Sequence, residues 1–264
     1  MVPPWLGRPV AERSFPAPLG RQARGAGQYD RPEAPATLLA LPGGLLVAFV
    51  VVPLVALTGR ALAAPDFWAA LTTPLVLQAL RVTAVTTLLT LVVVVVVGTP
   101  LAYLLARRRF HGKWLVDLAV DLPLVLPPVV AGVALLMAFG RAGLLGGSLT
   151  AFGISLPFTT AGVVLAQVFM AVPFFVGAAR AGFSAVDPRY LDAAATLRAG
   201  EMHTFWRVRL PLALPSLVAG LGMAWARALG EFGATITFAG NLAGVTRTVP
   251  LDVYLLLHED LEAA

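Results

Sequence analysis

Long apolar segments limit the folds open to this chain more than any other feature. Thr37–Leu57 is an uncharged apolar run of 21 residues, which as a helix is long enough to cross a hydrocarbon layer of about 30 Å. Four further apolar segments follow, at 75–106, 114–139, 158–183 and 210–238. Because lipid offers no partners to backbone polar groups, a spanning segment must bond its own backbone as a helix. The sequence therefore predicts an all-α membrane protein with about five spans.

Composition agrees with this prediction. Hydrophobic residues make up 58% and charged residues 12% of the 264 residues, which is more apolar surface than one soluble core can hide. Cysteine is absent and the three histidines are scattered, so we predict no metal site and no catalytic residues. A net charge of +5 could indicate nucleic-acid binding. The arginines lie between apolar spans, however, so membrane topology explains them and we predict no nucleic-acid partner.

The amino-terminal region differs from the rest of the chain. Residues 1–36 are rich in proline, arginine and glycine without apolar periodicity, which predicts a disordered cytoplasmic tail. Residues 37–264 then form the transmembrane domain. Ala61-Leu62-Ala63 resembles a signal-peptidase site, but the long preceding arm and the later apolar segments favour a retained first span.

Basic residues predict the orientation in the membrane, because arginine and lysine are retained on the cytoplasmic side. They concentrate in alternate loops: Arg8, Arg13, Arg21, Arg24 and Arg31; Arg107, Arg108, Arg109 and Lys113; Arg180, Arg189, Arg198, Arg207 and Arg209. The opposite loops hold Arg60, Arg141 and Arg247. We therefore expect the amino terminus and the 184–209 loop inside, and the acidic carboxyl terminus outside.

Two of the apolar segments contain residues unusual in lipid. Pro127 and Pro128 interrupt the third segment, and the resulting kink either lines a transport pathway or is filled by neighbouring side chains. Arg227 and Glu231 lie four residues apart in the fifth and can form an ion pair inside the bundle. That pair is either a structural clamp or lies near a pathway or subunit interface. Glycines at 222, 230 and 233 would permit close helix approach.

The inside loop contains the signals for a short helix at 188–197. Asp187 can cap its free amides, and Pro188 suits its first turn. Ala193, Ala194 and Leu197 give it a small apolar face. Such a helix could rest on the lipid surface. Alanine adds little lipid affinity but allows another protein surface to approach closely, which favours docking into a partner groove.

The same loop carries a family pattern. Its matching residues are Asp192-Ala193-Ala194, Val208 and Leu210-Pro211. Their order and spacing resemble the E-A-A-x3-G-x9-I-x-L-P loop of permeases of binding-protein-dependent ABC importers. The resemblance implies that this loop is a coupling helix seated in a cleft of an ATP-binding subunit, with contacts from Asp192, Ala193, Ala194 and Leu197.

The loop departs from that pattern at two positions. Asp192 replaces the family's glutamate, and Arg198 falls where the family has glycine. Gly200 is predicted to end the helix in its place.

The resemblance covers about residues 75–264 and extends to three other motifs. These are Gly98-Thr99-Pro100-Leu101-Ala102-Tyr103, the proline-rich 122–132 with Phe139-Gly140-Arg141, and 226–235 with Ala239-Gly240-Asn241. Together they are similar to the molybdate and sulfate permease branch, and 244–251 is more similar to molybdate permeases. The implied substrate is molybdate or tungstate, with sulfate or thiosulfate as the alternative. The family continues into one further transmembrane helix, which this sequence lacks.

The resemblance also implies the assembly: a type I ABC importer bundle in the plasma membrane, working as a homodimer with two ATPase subunits and an extracytoplasmic binding protein. Candidate residues near the pathway or interface are Pro127, Pro128, Arg227, Glu231 and Asn241. Lys113 is the only lysine and Trp114 follows it, so the chain has no phosphate loop and we expect ATP and magnesium on the partner. An ion-coupled transporter using Glu231 as carrier is the alternative of another class, but it gives no role to the alanine-faced loop helix.

Overall fold

A computed structural model describes residues 36–65 and 67–259, and every regular element in these ranges is helical. The helices are α1 (Ala36–Ala63), α2 (Phe67–Leu71), α3 (Pro74–Arg107), α4 (Lys113–Val125), α5 (Pro128–Phe139), α6 (Gly146–Ala151), α7 (Thr160–Ala185), α8 (Pro188–Thr196), α9 (Glu201–Thr204), a π-helical turn (Phe205–Arg209), α10 (Leu210–Leu229), α11 (Gly233–Ala239) and α12 (Val249–Glu259). The predicted all-α fold is confirmed. Residues 1–35, which hold most of the predicted tail, lie outside the described residues.

Helix α1 belongs to a compact unit of its own. It contains the predicted first span, Thr37–Leu57, and continues to Ala63 with Pro42 and Pro53 inside it. Between Ala40 and Ala63 no residue is buried. A helix apolar on all sides and this exposed requires lipid or other helices around it.

The second unit is built around α3, α7 and α10, which pack along one another. Phe175 and Phe183 of α7, each 1% exposed, fill the centre of the core. Helix α3 approaches closely because Gly98 has no side chain: a Cβ there would lie 2.9 Å from Cδ1 of Phe175. Among the described residues, four helices are long and apolar enough to cross a bilayer: Ala40–Ala63 of α1, α3, α7 and the continuous Glu201–Leu229.

The third apolar segment, predicted as one kinked span at 114–139, is two helices. Helix α4 has 13 residues and α5 has 12, so each is about 20 Å long or less. The chain between them is extended, with ψ of 130° at Leu126 and 137° at Pro127. Pro128 disfavours helical conformation in the residue before it, so the proline pair breaks the helix and begins a new one.

The fifth apolar segment, predicted at 210–238, also differs. The helix begins earlier, at Glu201, and runs through a π-helical turn before ending at Leu229. Gly230 ends α10, and the short α11 then packs against α5. The break at 230–232 places Glu231 between two helices rather than inside one.

A short apolar helix, α12, follows Asn241, where the sequence analysis found no apolar run. It packs against α3, and the backbone N–H of Val249 donates to Oγ1 of Thr83 over 2.8 Å. Asp252 lowers the average hydropathy of this segment, and for this reason the sequence does not predict the helix. In the folded chain Oδ1 of Asp252 lies 3.7 Å from Nη1 of Arg247, so the charge has a partner.

Of the three glycines predicted to permit close approach, Gly233 alone does so among the residues that the structure describes. A Cβ on Gly233 would lie 2.7 Å from Cβ of Pro128, whereas within the same described part a Cβ on Gly222 would meet no other element within 4 Å and one on Gly230 would meet only its own helix. Gly132 of α5, which the sequence analysis did not select, makes the closest approach to α11.

Gly132→Ala is expected to lower the free energy of unfolding by about 1–3 kcal/mol, the usual cost of overpacking. The new Cβ would lie 2.6 Å from Cβ of Thr237 and 2.9 Å from the carbonyl oxygen of Ala234. Gly177→Ala is the matched control, because among residues 36–65 and 67–259 a Cβ there would meet no other element within 4 Å. Denaturant-induced unfolding of both variants in mixed micelles measures the difference, and equal stabilities would contradict close packing of α5 on α11.

Candidate functional site

The predicted loop helix is present as α8, Pro188–Thr196, and its start has the predicted capping. Oδ1 of Asp187 accepts a hydrogen bond from the backbone N–H of Arg189 over 2.9 Å, and Pro188 occupies the first turn. This cap satisfies one of the free amides that begin every helix. Within α8, Ala194 alone is buried, so the helix projects from the bundle.

The predicted small apolar face of α8 lines a groove of about 590 Å³. From α8 and its end it is lined by Tyr190, Ala193, Ala194, Leu197 and Arg198, and from the chain that follows by Ala199, Gly200, His203 and Val208. Leu197 is 83% exposed and Tyr190 is 56% exposed. Asp192 is exposed but does not line the groove. The predicted coupling residues are the four contacts named above together with Arg198 and Gly200, and the groove joins all of these six except Asp192.

The end of α8 differs from the prediction, because Arg198 and not Gly200 makes the terminating turn. Arg198 has a φ of 54°, the left-handed conformation that glycine adopts most readily. The backbone N–H groups of Arg198 and Ala199 donate to the carbonyls of Ala195 and Ala194 over 2.9 and 3.0 Å, as in a Schellman turn. Gly200 has a φ of −66° and is the N-cap residue of α9 instead.

Arg198→Gly is expected to stabilise this turn by about 1 kcal/mol, because it removes the strain of a side chain in the left-handed region. Amide hydrogen exchange at Ala199 should slow about fivefold, the equivalent of that energy. Arg198→Ala is the control, since it removes the charge and keeps the strain. Equal slowing in both variants would assign the effect to charge rather than to backbone conformation.

Two ion pairs lie near the attachment of this loop to the bundle. Nη2 of Arg108, just after α3, lies 3.6 Å from Oε2 of Glu201 in α9. Nη1 of Arg180 in α7 lies 2.6 Å from Oδ1 of Asp117 in α4. The first pair brings the 107–113 and 184–209 loops to one end of the bundle, as the alternating basic loops predict.

Arg227 and Glu231 form the predicted ion pair, with Nη1 and Oε2 2.5 Å apart. Glu231 is 1% exposed and the Arg227 side chain is 22% exposed. Oε1 of Glu231 also accepts from the backbone N–H of Ala234 over 2.7 Å. The carboxylate therefore joins the end of α10 to the first turn of α11, where a negative charge is favourable.

The other candidate residues fall into two places. Pro127 and Pro128 form the break between α4 and α5, and Pro128 packs on Gly233, two residues from Glu231. Asn241 lies in the loop after α11, where its Oδ1 accepts from Nε of Arg247 over 2.9 Å. The structure thus brings the prolines near the buried ion pair, while Asn241 belongs to a separate network with Arg247 and Asp252.

An aromatic cluster was missed in the sequence analysis. Tyr103, Phe183 and Phe205 come from three different helical segments, with ring centroids 5.0–6.0 Å apart. Cζ of Arg209 lies 5.3 Å from the centroid of the Tyr103 ring. No local spacing signals this cluster, because its members are far apart in the sequence.

The fold and the projecting loop helix define an integral membrane protein of the transport-permease class. The chain belongs to the family of binding-protein-dependent transport system inner membrane components, which it matches over residues 98–252. It is 48% identical to the molybdenum transport system permease protein of Mycobacterium tuberculosis, over 85% of this chain and 84% of that protein. The corresponding Escherichia coli K12 protein is 47% identical over 61% and 70%.

Two more distant comparisons agree with this family. The sulfate transport system permease protein of Escherichia coli K12 is 37% identical over 74% of this chain and 70% of that protein. Among solved structures, a bacterial ABC transporter that imports the acidic polysaccharide alginate contains a similar chain, with a TM-score of 0.68, 15% identity and 86% of each chain covered. This last likeness shows the fold alone.

Proposed function

We propose that this chain is the transmembrane permease subunit of an ATP-binding cassette importer for molybdate. The observation that carries the proposal is the 48% identity to a molybdenum transport permease across most of both chains. The sulfate permease is a more distant relative, at 37%. Tungstate has the same charge and tetrahedral shape as molybdate, so it belongs to the same substrate class.

Energy for uphill import comes from a separate subunit in this proposal. The only lysine, Lys113, precedes Trp114, so no phosphate-binding loop of the usual form is present. Two copies of an ATPase would hold ATP and magnesium, and each would bind the face of α8 that lines the groove. Small side chains at Ala193 and Ala194 let a partner surface approach the helix closely, which supports this docking.

The remaining parts of the proposed assembly follow from the family. Two copies of this chain would enclose the oxyanion route between them, and a binding protein would deliver substrate at the outer face. The amino terminus and α8 would be cytoplasmic. The joining of two basic loops at one end of the bundle, through Arg108 and Glu201, supports that topology because such loops stay inside.

The ion-coupled alternative is not favoured. A proton carrier needs a carboxylate that can take up and release its proton during transport. Both oxygens of Glu231 are engaged, one with Arg227 and one with the backbone N–H of Ala234. These contacts join α10 to α11, so the geometry favours a structural link over a carrier.

The proposed function is tested by uptake into vesicles that carry this chain with its ATPase and binding protein. Molybdate uptake is expected to require ATP inside and to exceed sulfate uptake at equal concentration. Uptake unchanged by ATP, but abolished by collapsing the proton gradient, would replace the proposal with the ion-coupled alternative. Equal use of sulfate would shift the substrate assignment and leave the class intact.

A further inference from the structure

Two segments connect the loop that carries α8 to the bundle: the end of α7 before it, and the π-helical turn after it. We call them the first and second stem, and both contribute to the aromatic cluster of Tyr103, Phe183 and Phe205. Phe183 lies four residues before Asp187, at the end of α7, and Phe205 opens the π-helical turn that follows α9. Their ring centroids are 6.0 Å apart. Tyr103 belongs to α3 and not to the loop, yet it contacts both rings, at 5.4 and 5.0 Å.

The aromatic cluster is part of the core packed around α7. Phe183 is 1% exposed, and Tyr103 and Phe205 pack on the same core cluster as Phe175. The contacts of Tyr103 are edge-to-face, at 80° and 73°, the geometry in which aromatic pairs attract. Close-packed protein interiors transmit strain to neighbouring residues instead of absorbing it.

The second stem contains an irregular helical turn, the π-helical turn Phe205–Arg209. The backbone N–H of Leu210 donates to the carbonyl of Phe205, five residues earlier. Pro211 has no N–H, and its ring crowds the preceding turn, which favours this wider winding. Arg209 of the same turn stacks on Tyr103, so the turn is attached to α3 by two side chains.

We propose that Tyr103, Phe183 and Phe205 form a joint that carries displacement of α8 into α3 and α7 together. These are positioning residues, because they would act through the packing of the helices. The inference rests on the proposed function. It adds that import depends on aromatic rings at these positions. Docking of the ATPase does not depend on them, and neither does the hydrolysis of ATP.

The experiment uses the whole transporter, with ATPase and binding protein, in vesicles where molybdate uptake and ATP hydrolysis are measured together. Tyr103→Leu and Phe205→Leu are each expected to lower uptake about 10-fold, within the range of typical coupling energies, while hydrolysis changes less than about twofold. Tyr103→Phe keeps the ring and is expected to restore the wild-type ratio of hydrolysis to uptake. Trp225→Leu is the matched control, an aromatic residue of α10 that is 53% exposed.

The outcomes separate the joint from the proposed function. If the wild-type vesicles import molybdate with ATP but the leucine variants lower uptake and hydrolysis in parallel, or change neither, the joint is overturned. If the wild type itself fails to import, the proposed function fails. Should Phe205→Leu not accumulate in the membrane, Phe205→Met keeps most of the volume without the ring. It is expected to be uncoupled, and a fully coupled Phe205→Met transporter would overturn the joint.

Discussion

Ala193→Arg is expected to abolish association of this chain with its ATPase. Ala193 is exposed and lines the groove beside α8, so a partner seated there would bury the new guanidinium. Burying an unpaired charge costs about 3–5 kcal/mol, which weakens binding by about 150- to 4,000-fold. Co-purification of the two subunits from detergent extracts measures the loss.

The control for this variant is Ala195→Arg, which adds the same charge to the same helix. Ala195 is exposed but does not line the groove, and it lies about 200° around the helix from Ala193. It is expected to retain most of the association. Membrane insertion should be unchanged in both variants. If the Ala193→Arg variant retained its association, the ATPase would not bind the face of α8 that contains Ala193.

Glu231→Leu is expected to lower the free energy of unfolding by about 3–5 kcal/mol, because it leaves the largely buried side chain of Arg227, 22% exposed, without its partner. It also removes the acceptor for the backbone N–H of Ala234 at the start of α11. Unfolding by sodium dodecyl sulfate in mixed micelles, followed by tryptophan fluorescence, measures the change. Both effects act at the junction of α10 and α11, so loss of structure should begin there.

Two further variants separate the charge from the cap. Glu231→Gln keeps an oxygen acceptor for Ala234 and loses only the charge, so its cost should be smaller than that of Glu231→Leu. Arg227→Met combined with Glu231→Leu replaces the pair by apolar groups and should recover much of the stability. If the double variant is as unstable as Glu231→Leu, the unpaired arginine is not the cause. Recovered stability with lost uptake would assign the pair to transport as well.

The sequence predicted correctly those features that depend on residues close together along the chain. Apolar runs of sufficient length predicted the helices, because backbone bonding in lipid is local. The cap at Asp187 and the apolar face of α8 follow from spacings within one turn or two. The four-residue spacing of Arg227 and Glu231 likewise predicted their ion pair. These features need no knowledge of what the rest of the chain does.

Chain breaks were predicted less well. Average hydropathy does not distinguish one long span from two short helices, so the sequence predicts only a kink where the chain at Leu126–Pro127 is extended, and no break at 230–232. Arg198 shows a related limit. The family pattern has glycine at this position, where this chain has an arginine. Because glycine adopts the left-handed conformation of a helix end most readily, the sequence predicts that Gly200 ends the helix. The hydrogen bonds of Ala199 and Arg198 place the turn two residues earlier.

Sequence alone determined the membrane class, the approximate spans and the loop helix, since each is encoded in short stretches of chain. Tertiary structure decided which distant side chains meet. Tyr103 is 80 residues before Phe183 and 102 before Phe205, and only the packing of α3 against α7 and the π-helical turn brings the three rings together. Contacts of that kind depend on burial and shape across helices, and no periodicity along the chain records them.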